Sequence, residues 1–533
     1  MNKSFPMRCL FTLAVCLLTQ HLFARQPQPA FDIQHYRFAL TLSDESDTIR
    51  GQATIQYLVR RSSASLVLDL ISVQPDGKGM KVRTVQQGGK SLPFKHSKDL
   101  LAITLPVTPK AGDTGHVTVD YAGIPADGLT ISNNMYKHRG FFGDNWPNRA
   151  RHWLPCIDHP ADKASVEFLV DAPAHYQVVS NGLQLEVSTL PNNRRLTHYQ
   201  ETVPLPTKVM VIGAADFAVQ LAGTVDCIPV HSWVYPENRE KTFYDLAQAT
   251  EILPFFINKV GPFAYKKLAN VQSKTIFGGM ENAGAIFYAE EAFNGTRRTE
   301  SLVAHEIAHQ WFGNMATEAS WSDLWLSEGF ATYMTICYFE EKYGADTALF
   351  MRRNDRSKVI SFSKRKPGPV VDTAVRDYMQ LLNANSYQKG GWVLHMLRRQ
   401  LGDSTFWRGV RTYYQRYAGK NAGTQDLRAV MEEVSGKPLT DFFQQWLYTS
   451  GQPSLDIRWQ YDAAAKAVKG TVIQQQAGLF RFPLELAASG TGGAVTLSIS
   501  EKETAFIIPC SSKPSRLDVD PGVDLLGEFR VNP

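Results

Sequence analysis

The chain has 533 residues, of which 44% are hydrophobic and 20% charged, and a formal net charge of +5. One hydrophobic core does not grow to that size, so roughly two to four domains are expected. The charge balance is too mild for a nucleic-acid-binding or membrane-surface protein, and the apolar content is that of an ordinary globular chain.

Residues 1–24 have the pattern of a secretory signal. Lys3 and Arg8 make a basic start, residues 9–18 a short apolar run, and Ala24 a cleavage point, although Leu22 is larger than the small residue usual three positions before the cut. The run is too short for a bilayer span, which takes about twenty residues. Val15 ahead of Cys16 does not fit a lipoprotein signal. The expectation is therefore a secreted or periplasmic protein, with no transmembrane segment in the mature chain. Cys156, Cys227, Cys337 and Cys510 remain after cleavage. They are scattered, show no disulfide framework, and leave pairing in an oxidising compartment open.

Residues 25–236 read as a large β domain. The stretches 36–42, 53–59 and 117–121 alternate apolar with polar residues, with Gly, Pro, Asp and Asn between such runs. Near Pro236 the pattern changes, and residues 237–452 read as a second, mainly helical domain. Residues 242–260 are helical, a short β-like stretch runs to Tyr288, and helices dominate from Thr299 to about Ser450. Thr424 and Thr440 stand where helices start, and Gly402, Gly436 and Gly451 where they stop. Lys364-Arg365-Lys366 reads as a solvated loop. From Ser454 alternation returns through Ile457, Trp459 and Tyr461, then 480–486 and 495–499, so residues 453–533 read as a small β-sandwich.

The second domain carries the chemistry. His305-Glu306-Ile307-Ala308-His309 is followed, nineteen residues after His309, by Glu328 in the run Trp321-Ser-Asp-Leu-Trp-Leu-Ser-Glu-Gly-Phe-Ala. Thr299 or Glu300 opens a helix here and Gly313 stops it; Ser322 and Asp323 cap a second helix with Glu328 one turn in. Histidines at i and i+4 share a helix face, so both rings reach one ion. A carboxylate from the next helix adds a third ligand and leaves one position open, which is a catalytic zinc arrangement. One zinc ion per chain is expected, with Glu306 placed to take a proton from water. The bland alternatives are a helix with two unremarkable histidines, which the helix start and stop signals weaken, and an exposed helical carboxylate at Glu328, which Trp321, Leu324, Trp325 and Phe330 around it weaken.

Two further stretches are less decisive by themselves. Gly278-Gly279-Met280-Glu281-Asn282 lets backbone approach a ligand beside a fixed negative charge, or is a plain turn with a solvated Glu. Tyr387, just before a helix from Trp392, offers a phenol to an oxyanion, or is a packed side chain.

These motifs together, with Tyr387-Gln-Lys-Gly390, occur in the order and approximate spacing of the gluzincin aminopeptidases, the family of aminopeptidase N and the leukotriene-epoxide hydrolase. The chain resembles that family over everything after the signal, and 151–168 and 178–182 resemble its N-terminal domain. The resemblance implies an α+β multidomain fold: an N-terminal β-sheet saddle domain, a thermolysin-like zinc catalytic domain and a small C-terminal β-sandwich. It implies zinc on His305, His309 and Glu328, Glu306 as general base, Tyr387 on the oxyanion, and Glu281 on the free α-amine of a peptide. Gly278, Gly279, Met280 and Asn282 then lie along the bound substrate. Family members commonly carry a second amine anchor before the Ala150-Arg151 pair; Asp144 stands nearest that position, and Trp146 occupies another where an acid is often found. Many members also continue with a helical domain over the site, whereas this sequence stops after its small β segment. The expected cleft is accordingly more open, or closed by a partner chain.

The expected activity is hydrolysis of the N-terminal peptide bond. A zinc endopeptidase or epoxide hydrolase on the same scaffold is the alternative. A binding module on a dead scaffold predicts a missing ligand or base, and all five residues are in place.

Overall fold

The computed structural model describes residues 30–490 and 494–533, so the expected signal segment lies outside the described residues. The N-terminal part is built on an eight-stranded sheet in which Phe31–Thr41 pairs parallel with Lys163–Pro173 and antiparallel with Ile49–Val59. Its alternating pattern buries Tyr36, Phe38 and Leu40 on one face, and a register shift between Ile33 and His35 keeps Phe31 and Ile33 on that face too. A four-stranded sheet containing Gln177–Ser180, Ile212–Ala215 and Arg139–Gly143 and a three-stranded sheet led by Ser65–Asp69 complete this part.

The next sheet crosses the boundary expected at 236. Ala218–Val225 pairs with Ile228–Val234, which pairs in turn with Leu268–Ser273, followed by Ala285–Ala289 and, at the far edge, Gly279–Met280. One sheet thus joins strands from both sides of position 236. Strand alternation marks a strand but not which sheet it joins.

Two helices, α1 (Arg239–Leu246) and α2 (Ala249–Lys259), connect strands of this sheet, and α3 (Glu300–Ala308), α4 (Trp325–Tyr343), α5 (Ala345–Arg365), α6 (Gly390–Leu401), α7 (Asp403–Tyr417) and α8 (Thr424–Ser435) follow it. The run Lys364-Arg365 is the last turn of α5, not a loop, and Lys364 pairs with Glu528 at 2.6 Å. Basic residues there also suit the negative end of the helix dipole. α4 and α6 cross closely at two glycines. A β-carbon on Gly329 would lie 2.8 Å from the carbonyl carbon of Gly390, so neither position has room for a side chain.

The C-terminal strands form a four-stranded sheet around Ser454–Asp462 and Ala467–Gln474 and a three-stranded sheet around Phe482–Ala488. Leu455, Ile457, Val468, Leu484 and Leu486 are fully buried there. This unit is fastened to α5 and α6 by polar contacts: Arg356 to Asp520 at 2.7 Å and His395 to Asp524 at 3.0 Å. Among the described residues no helix is long and apolar enough to cross a membrane. Cys156, Cys227, Cys337 and Cys510 are all free.

Candidate metal centre and peptide cleft

α3 ends at Ala308, with His309 as its cap in helical conformation, several residues before the expected stop at Gly313. The i, i+4 relation survives, because His309 still donates its N–H to the His305 carbonyl at 3.3 Å. The chain then turns back, and Phe312 stacks on Phe330 of α4 with ring centroids 4.3 Å apart. That stack sets α4 against the end of α3 and brings Glu328 to the two rings. His305 Nε2 and His309 Nε2 lie 3.1 Å apart, and each is 3.3 Å from Glu328 Oε2.

Three donor atoms converging this closely, two imidazole nitrogens and one carboxylate oxygen, fit a zinc ion with an open position. The far nitrogen of His309 supports the fit, since Nδ1 lies 3.0 Å from Ser327 Oγ and 3.1 Å from the Phe312 carbonyl. Such partners fix the ring and leave Nε2 facing the cluster. Ser327 was not singled out from the sequence, although its place next to Glu328 was the available signal.

The start of α4 differs from expectation. Trp321–Asp323 forms a 3₁₀ turn, and Asp323 caps no turn of α4 but accepts from the backbone N–H and hydroxyl of Thr424 at 3.0 and 2.7 Å. It thereby joins the starts of α4 and α8.

Glu306 faces the cavity from α3 and is buried. Burial pushes its carboxyl well above the usual range, opposed by the His309 ring and reinforced by Glu281 and Glu328. Tyr387 lies in a π-helical turn, Asn385–Lys389, that leads directly into α6, which starts at Gly390, two residues before the expected Trp392. Its ring stacks parallel to that of His305 at 5.9 Å, and burial raises its pKa, so the phenol stays a hydrogen-bond donor.

Gly279–Met280 is the edge strand nearest α3. It is clamped to the residues that follow the metal helix: Gln310 Nε2 and Asn314 Nδ2 donate to the Glu281 carbonyl at 3.0 and 2.7 Å. Glu281 is 5% exposed, and its Oε1 has no hydrogen-bond partner among the described residues. Asn282 is buried behind it. Gly278, Gly279, Met280, Glu281, His305, Glu306, His309, Glu328 and Tyr387 all line one cavity of about 250 Å³, closed by Trp146, Phe277, Leu302 and Leu382.

Asp144 is not part of that lining. Its carboxylate pairs with Arg149 at 2.8 Å and accepts from the Ile276 N–H at 3.1 Å and the Thr275 hydroxyl at 3.2 Å. With its oxygens so engaged, Asp144 anchors the loop ahead of Phe277, and the expected second amine anchor is corrected accordingly. Trp146, two residues on, reaches the cavity instead. Sequence reasoning also passed over Lys208, whose ammonium meets Glu318 at 2.6 Å with both side chains almost fully buried. Breaking one partner of such a pair costs about 3–5 kcal/mol.

A two-histidine, one-carboxylate cluster with a buried carboxylate beside it defines a metallohydrolase type of centre. Comparison with known proteins agrees. The pattern of the Peptidase family M1 domain matches residues 244–446, and that of the Peptidase M1 N-terminal domain matches residues 33–209. The chain belongs to the M1 peptidase family. It is 30% identical to Probable aminopeptidase 2 of Sulfurisphaera tokodaii over 71% of this chain and 50% of that protein. It is 32% identical to Tricorn protease-interacting factor F2 of Thermoplasma acidophilum over 58% of this chain and 41% of the relative. A Glutamyl aminopeptidase of Bitis rhinoceros is 27% identical over 73% of this chain and 43% of its own length. The chain thus spans half or less of the length of these curated relatives.

Proposed function

We propose that this protein is a zinc aminopeptidase that hydrolyses the N-terminal bond of peptides carrying a free α-amine. The observation that carries the reading is the unpartnered Oε1 of buried Glu281, in the same cavity as the His305, His309 and Glu328 cluster. A buried carboxylate without a partner costs free energy, and an ammonium supplied by the substrate removes that cost through a charge-assisted bond.

A zinc ion held by His305, His309 and Glu328 would supply Lewis-acid charge that acidifies water and polarises a carbonyl. Glu306 takes the proton from the attacking water and returns it to the leaving amine. Tyr387 donates its phenolic hydrogen to the oxygen on which negative charge develops, a contribution of about 3 kcal/mol. The Gly279–Met280 edge lies beside the extended substrate, and Gly278 and Asn282 bracket it. The M1 relatives named as aminopeptidases support the activity. The basic and apolar pattern of residues 1–24 supports the proposal that the enzyme is exported.

The test compares one peptide with a free and an acetylated N-terminus, on wild type and Glu281→Ala. The free peptide should be much the better substrate of wild type, and the variant should lose at least about tenfold on it, from a charge-assisted bond of about 1.5–3 kcal/mol. Equal cleavage of both peptides, with both equally affected by the substitution, would replace this reading by a zinc endopeptidase.

A further inference from the structure

We infer that the cavity selects peptides whose N-terminal side chain is apolar, and that Trp146 and Phe277 make the selection. The inference rests on the assignment of Glu281 to the α-ammonium. Every charged residue lining the cavity is then accounted for, in the metal cluster, as Glu306 or as Glu281. The walls left for a substrate side chain are Trp146, Phe277, Met280, Leu302 and Leu382, which offer rings and methyl groups.

Neither cation close to this wall lines the cavity: Lys208 lies 6.0 Å from the centre of the Trp321 ring and is paired with Glu318 at 2.6 Å, and Arg149 lies 5.8 Å from the centre of the Phe277 ring. The Arg149 guanidinium is already paired with Asp144 at 2.8 Å and Asp127 at 2.9 Å. An acidic N-terminal side chain therefore finds no counter-charge and faces the carboxylates of Glu281 and Glu306. A basic side chain meets only carboxylates that the reaction already uses. Burying either charge without a partner is unfavourable, whereas an apolar chain loses nothing by leaving water.

The wall is also held at a fixed depth. Trp146 packs edge to face against Phe277 at 6.0 Å and against Trp321 at 5.7 Å, and Trp321 stacks on Tyr378 at 5.0 Å. Asp144 pins the loop before Phe277 through the Ile276 N–H and the Thr275 hydroxyl. With about 250 Å³ shared between side chain and scissile bond, a rigid wall sets an upper size as well as a polarity.

The test is a panel of aminoacyl amides of one fluorophore, carrying Ala, Leu, Met, Glu or Lys, with N-acetyl-Leu as control. For wild type, kcat/KM for Leu and Met should exceed that for Glu by at least about 100-fold and that for Lys by at least about tenfold, in line with what apolar pockets discriminate. In Trp146→Ala and in Phe277→Ala the Leu-over-Ala preference should fall by at least about tenfold at unchanged zinc content, since the pocket loses its wall. Phe277→Arg, at the partly exposed lip, should raise the Glu-to-Leu ratio by at least about tenfold by supplying the missing cation. Wild type favouring Glu or Lys over Leu overturns the inference, and so does a Leu-over-Ala ratio unchanged in both alanine variants. Cleavage of the acetylated control as fast as free Leu amide removes the aminopeptidase reading itself, and the inference with it.

Discussion

A β-carbon on Gly279 would lie 2.5 Å from Cδ and 2.6 Å from Cγ of Glu306. Backbone of the edge strand and the side chain proposed as general base thus occupy adjoining space, and only glycine lets them. Gly279→Ala should displace the Glu306 carboxylate while leaving His305, His309 and Glu328 in place. Turnover should fall at least about 100-fold, the scale on which a misplaced catalytic group costs rate, at full zinc content. Metal analysis alongside steady-state kinetics checks both halves, and an active Gly279→Ala enzyme would contradict the geometry.

Ser327→Ala removes the hydroxyl at 3.0 Å from His309 Nδ1 and leaves the Phe312 carbonyl as its remaining partner. Zinc affinity should fall by about 10–100-fold, as for other supports of metal-binding histidines. Competition with a chelator of known affinity measures this directly. An unchanged affinity would mean that the Phe312 carbonyl alone orients the ring.

Tyr387→Phe should lower kcat by roughly 10²–10³-fold with little change in KM, because the phenol acts mainly on charge that develops in the transition state. The parallel stack on His305 is available to Phe as well, so zinc content should not change. A raised KM at constant kcat would move Tyr387 from catalysis to ground-state binding.

The metal-binding pattern was legible because it is local: a helix repeat decides which side chains share a face, and His305 and His309 need no tertiary information to converge. Glu328 was legible as a carboxylate in the first turn of the next helix, although its approach to the rings depends on the tertiary stack of Phe312 on Phe330. Asp323 was misjudged because a capping residue and a residue that bonds a distant backbone look alike; its partner, Thr424, lies on another helix. Asp144 and Trp146 could not be told apart by spacing, since which of them reaches the cavity depends on how the loop turns and on Arg149. The cavity wall was illegible altogether, as Trp146, Phe277 and Leu382 come from three separate stretches of chain. Which sheet the strands at 218–234 join was illegible too, because pairing partners in a sheet are set by the tertiary fold.

Lys267 predicts a pH dependence of stability. It is buried, and its ammonium donates to the Ser180 carbonyl at 2.8 Å and the Gly284 carbonyl at 2.9 Å, tying the N-terminal part to the turn after Asn282. Burial lowers its pKa from 10.5 to about 8. Below pH 8 the folded chain carries the full cost of the buried charge. Between about 8 and 10.5 the folded amine is neutral while the unfolded one is charged, so the unfolded state binds more protons and stability rises with pH. Against Lys267→Met, wild type should gain up to about 1.4 kcal/mol per pH unit across that window in urea unfolding. A difference that is flat with pH would mean that Lys267 stays charged in the fold.

The central claim is that His305, His309 and Glu328 hold the metal while Glu306 moves the proton, and Glu306→Gln tests it most directly. The substitution keeps shape and removes the base. The account predicts one zinc per chain, bound as in wild type, and loss of nearly all turnover on a free aminoacyl amide. Loss of zinc from Glu306→Gln, or activity close to wild type with zinc retained, would contradict it.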